Sequence, residues 1–192
     1  MAYRYAPTKD TLASIYRAAG RLAAVLQSVH FELGDPAIVA VERDGYSDVD
    51  CRFVLLDGGA AAQLDEASAR EFVVISAAGK AAEIEFLCKG LGGGMTSLDL
   101  HDRHRHGDAA ERDQVLARFG LQEEKDTLSL AAHTLVTKGW PLVRQVAAAM
   151  RDAQGRELPR YDMETLPLVA QCLARRMRAG PSAVSRRAPR AA

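Results

Sequence analysis

The sequence predicts an α+β fold, a single antiparallel sheet of about five strands flanked by a long N-terminal helix and a C-terminal set of about four helices. Three observations lead there. Apolar residues recur at helical spacing before residue 34; short alternating runs separated by glycine-rich or Asp-Gly turns fill 37–101; and the helical period returns from residue 108. Strands joined by such short links must be largely antiparallel, because a parallel neighbour needs a crossover of about a dozen residues or more.

The first helix has N-cap candidates in Thr8, Asp10 and Thr11 and an apolar stripe of Leu12, Ile15, Tyr16, Ala19, Leu22, Ala23, Leu26 and Val29, ending near Gly34. Asp35-Pro36 breaks it, since the residue before proline is pushed out of the helical region. β-branched residues then flank Asp44-Gly45, which supplies the positive φ of a tight hairpin between strands at 37–43 and 49–56. In the second of these Val49, Cys51, Phe53 and Leu55 share one face, and Asp50 and Arg52 point the other way.

The segment AAAQLDEASAR reads as a short helix of alanine and charged residues. The apolar run at 72–76 reads as an inner strand, Ala78-Gly79-Lys80 as a reversal, and the alternation of Ile84, Phe86 and Cys88 with Glu83, Glu85 and Lys89 as a strand with one wet face. Glycines at 90–94 turn the chain into a fifth strand at 95–101, with Asp99 and His101 outward.

In the helical half, Asp108 and Glu111 fit a capping box ahead of Val115, Leu116 and Phe119, with Gly120 as the stop. A helix at 126–138 ends at Gly139, Trp140-Pro141 opens the next, and a last helix spans 163–178 with Pro167 in its first turn. Residues 181–192 have no apolar periodicity and read as a disordered basic tail after a single domain at 1–180, helix plus sheet over 1–107 and helical over 108–180.

Zero net charge over 192 residues conceals an asymmetry: the last twenty hold six arginines and no acid, leaving 1–172 at −6. No basic region followed by an apolar run marks a secretory signal, and no stretch of about 18 apolar residues marks a membrane span, so a cytoplasmic protein is expected. Cys51, Cys88 and Cys172 are odd in number and form no CxxC pair, which points to reduced, buried thiols.

Candidate chemistry concentrates at 99–106. Asp102, His104 and His106 alternate, so on a continuing strand they share a face and offer a divalent metal such as zinc one carboxylate and two imidazoles. Arg103 and Arg105 oppose a bound dication and suit a phosphate or acidic partner beside the helix start at Asp108. Asp99 and His101, neighbours on the outward face, are the candidates for general acid–base work. The glycines of KGLGGG precede a strand, whereas a phosphate cradle needs a helix there, and neither GxSxG nor HExxH occurs.

The functional expectation is a small interaction or regulatory module that holds a protein partner on the open sheet face and the 92–106 edge, with a homodimer as one arrangement and no cofactor. One alternative is a divalent-metal-dependent enzyme built on the His/Asp cluster at 99–106. Another is a nucleic-acid-associated protein whose Arg186, Arg187 and Arg190 supply salt-dependent affinity.

Overall fold

A computed structural model describes residues 9–43, 46–56, 64–90, 108–153 and 157–179. In chain order these form α1 (Lys9–Val25), β1 (Phe31–Arg43), β2 (Tyr46–Leu55), α2 (Glu66–Gly90), α3 (Asp108–Arg118), α4 (Lys125–Lys138), α5 (Trp140–Asp152), α6 (Arg160–Glu164) and α7 (Pro167–Ala179). A 3-10 turn at Gln122–Glu124 leads into α4.

Among the described residues the molecule is mostly helical, with one two-stranded antiparallel sheet in place of the expected sheet of about five strands. The correction falls on 66–90. The short helix, the inner strand at 72–76, the reversal at 78–80 and the strand at 84–88 are one 25-residue helix, α2. Alanine, glutamate, leucine and lysine favour that conformation. Buried on several sides, α2 carries apolar residues at nearly every phase, so short windows of it imitate alternation. Glu83 and Glu85, expected on a wet strand face, are only 4% and 9% exposed. Gly79, expected in a reversal, lies within the helix where α1 passes close over it: a Cβ there would lie 3.0 Å from Arg21 Cγ and 3.1 Å from Arg17 Cγ. Of the turn expected at 90–94, Gly90 is the last residue of α2, and 91–94 and the strand at 95–101 lie outside the described residues.

The hairpin across 44–45 is present and longer than predicted, with Arg43 opposite Tyr46 and Phe31 opposite Leu55. β1 takes over residues assigned to the end of the first helix, which stops at Val25. Ser28 ends that helix by accepting the amides of Phe31 (2.8 Å) and His30 (3.1 Å) on its Oγ. Asp35-Pro36, joined by a cis bond, sits in an irregularity within β1: the register slips between Leu33, opposite Phe53, and Ile38, opposite Cys51. On β2 Val49, Cys51 and Leu55 are buried and Arg52 exposed, as the alternation predicts.

The helical half follows its punctuation closely. Gly120 takes φ +67 beyond α3, and Pro141 stands in the first turn of α5. The last predicted helix is two, α6 and α7, because Pro167 starts a new helix instead of continuing the old one.

α2 is the axis on which these elements pack, with α1, α3 and α4 against it. α1 crosses it at Gly20, where a Cβ would come within 2.5 Å of Ala78 O and Ala82 Cβ, so only glycine allows the approach. Tyr16 stacks on Phe86 at 4.2 Å and on Trp140 at 5.5 Å, joining α1, α2 and α5. Phe31, Phe53 and Phe72 join the hairpin to α2. Arg17 and Arg21 of α1 pair with Asp48 (2.6 Å) and Asp50 (2.5 Å) of β2.

The C-terminal segment closes back on the hairpin. Leu158 exchanges backbone hydrogen bonds with Ile38, and Arg160 donates to Leu33 O (3.0 Å) while pairing with Glu32 (3.0 Å) and Glu164 (2.6 Å). Arg176 reaches from α7 to donate to Phe31 O (2.8 Å) and Val25 O (3.4 Å). Among the described residues no helix is long and apolar enough to cross a membrane.

Candidate functional site

The buried stripe of α4 is Leu128, Ala132 and Val136. A second stripe, Thr127, Leu130, Ala131, Thr134 and Lys138, follows the same helical spacing about a third of a turn away and is exposed. Leu130 is 66% exposed and is the large apolar side chain of this stripe. On α7 the spacing places Leu168, Gln171, Cys172, Arg175 and Arg176 together.

Both stripes face one groove of about 1070 Å³ that opens to solvent. Its floor comes from Leu26, Leu135 and Leu142, and its lip from the turn after α1, at Gln27, Ser28 and Val29. Val29, expected on the buried stripe of the first helix, is 46% exposed there.

Two polar devices hold the groove's shape. Glu71 of α2 accepts from Ser28 Oγ and from the amides of Val29 and His30 (both 3.1 Å), with His30 Nδ1 3.2 Å from its other oxygen. This fixes the lip with a carboxylate that stands behind it, beside a smaller cavity of about 150 Å³. Arg176 fixes the other side, since its hydrogen bonds to the carbonyls of Val25 and Phe31 tie α7 to the end of α1.

The electrostatics are one-sided. Lys138, Arg175 and Arg176 are the charged residues among the described lining, and no carboxylate is among them. None of the three belongs to an ion pair among the described residues. Burial pushes the Cys172 thiol above its ordinary value, with Arg175 opposing, so at neutral pH it is a thiol and a poor nucleophile. Cys51 is buried and pushed up to about 12, chiefly by desolvation, as a core thiol should be. Cys88, read as a core residue of a strand, is exposed near the end of α2.

The residues singled out from the sequence are not among those described. Asp99, His101, Asp102, Arg103, His104, Arg105 and His106 lie outside the described residues, as do Arg186, Arg187 and Arg190. The open face of a five-stranded sheet is gone with that sheet; the hairpin instead shows a small exposed patch at Arg52 and Val54. The sequence does hold one sign of the groove. Leu130 falls off the Leu128–Ala132–Val136 stripe, and an apolar residue out of phase on an otherwise regular helix marks a second face. No family model, curated protein or solved structure matches the chain.

Proposed function

We propose that this protein is a binding module that holds an apolar segment of a protein partner in the groove between α4, α7 and the end of α1. The observation that carries this reading is the exposed second stripe of α4, with Leu130 as its largest apolar side chain, facing a solvent-open groove of about 1070 Å³. An apolar surface left in water raises the free energy of the monomer and is relieved by a complementary partner, so such patches mark interaction sites. The lip and the far side are each pinned by hydrogen bonds, so the surface is formed before a partner arrives and little ordering entropy is lost on binding.

The test is a titration of isotope-labelled protein with a synthetic amphipathic helix of about 14 residues, leucines on one face and glutamines elsewhere. Saturable shifts are expected at Val29, Leu130, Leu135, Leu142 and Leu168, abolished in Leu130→Asp. Shifts confined to other surfaces, or none with neutral, acidic or basic versions of the peptide, would sink the reading.

A further inference from the structure

Resting on the groove as the binding surface, we propose that its partner is an amphipathic α-helix of about three turns whose apolar face is flanked by acidic residues. Three observations on the groove select this occupant.

The first is backbone chemistry. The described residues lining the groove belong to helices, to Gly139 between α4 and α5 and to the turn at 26–29, and none belongs to β1 or β2. An extended peptide laid there finds no strand edge to pair with, so much of its backbone N–H and C=O would sit over apolar side chains unsatisfied. A helix satisfies those groups internally and presents only side chains. The second is length: the exposed stripe of α4 runs from Thr127 to Lys138, roughly 16 Å at 1.5 Å per residue, which is about three turns of a helix lying alongside.

The third is charge. Lys138 on α4 and Arg175 and Arg176 on α7 set positive charge on both sides of an apolar floor, with no carboxylate in the described lining to neutralise it. Arg178 continues the charge in the last turn of α7. Carboxylates along the rim of an incoming helix meet complementary charge, which steers encounter and fixes register while the leucine-type side chains fill the floor.

The experiment compares three synthetic helices with the same leucine face and Glu, Gln or Lys at the flanking positions, each titrated by fluorescence anisotropy into the full chain and into Lys138→Glu/Arg175→Glu. Arg176 is left in place because it holds backbone carbonyls. The Glu-flanked helix is expected to bind about ten-fold tighter than the Gln-flanked one at about 50 mM salt, with that advantage falling at least about three-fold by about 500 mM. The double charge reversal is expected to invert the order, so that the Lys-flanked helix binds best. Protection of Cys172 from alkylation at alkaline pH, where its thiolate forms, in a Cys88→Ser background locates the bound helix independently.

If the Gln- and Glu-flanked helices bind equally, the groove reading survives and the acidic partner is overturned. If none of the three binds, the groove reading fails with it. Tighter binding of a fatty acid than of any helix, or a dimer in sedimentation that Leu130→Asp dissolves, would give the groove to a lipid or to a second copy and overturn the proposal.

Discussion

Asp65 stands just ahead of α2 and its Oδ1 accepts both the Ser68 amide (2.8 Å) and the Ser68 hydroxyl (2.6 Å), while the Asp65 amide donates back to Ser68 Oγ (2.9 Å). This reciprocal cap satisfies amides that the first turn of a helix leaves unpaired. The same bonds hold the Asp65 carboxyl below its ordinary value of 3.8. A carboxyl lowered by folding stabilises the folded state above its unfolded value and loses that contribution as pH falls through the folded value. Asp65→Ala is therefore expected to cost about 1 kcal/mol at neutral pH. The gap between wild type and variant should narrow once pH drops below about 4. Urea midpoints across that range check it, and a gap that widens toward acid would contradict the role given to the carboxylate.

At the scale of elements, the crossing of α1 over α2 depends on the missing side chain of Gly20, since Ala78 O and Ala82 Cβ occupy the place a Cβ would take. Gly20→Val should separate the two helices and destabilise the fold by about 1–3 kcal/mol, read from chemical denaturation, with a loss of the close Tyr16–Phe86 stacking. A variant as stable as wild type would show that the helices have room to spare. The same two helices explain what could be read beforehand. α3 and α5 each keep one apolar stripe and one polar face, and the stops and starts of the helical half stand in the sequence as Gly120, Gly139 and Pro141. α2 has no such contrast, because partners on several sides remove its polar face, and a helix without a polar face has no period to detect in windows of five residues. The hairpin was legible because Asp44-Gly45 and the alternation on β2 are both local signals. The slip at Asp35-Pro36 was not, because the backbone partner that accommodates it, Leu158, lies more than 120 residues away.

For the molecule as a whole, the placement of α2 sets a hierarchy of stability. It is packed by α1, α3 and α4, and Val73, Ala78, Ala82 and Leu87 are wholly buried, whereas α7 has Val169 as its one fully buried side chain among those described. Hydrogen exchange is expected to be slowest at amides in the middle of α2, opening only with global unfolding, and faster by orders of magnitude along α7. Equal protection on the two helices would mean that α7 is held by more than Val169 and the reach of Arg176. The candidate groove belongs to this scale too, which is why the sequence hid it: it is assembled from residues 26 to 176, and each contributes only one or two side chains per turn.

The hairpin has one more property. A ribbon of two strands consists of edges alone, and an open edge is a template on which strands of other molecules can grow into fibrils. Here each edge is stoppered near its middle by the chain itself. Ser14 Oγ takes the outward amide of Val49 on β2 (2.8 Å), and Leu158 takes the backbone of Ile38 on β1, two residues after Pro36, which has no amide to offer. A strand added at either border would have to displace these contacts first.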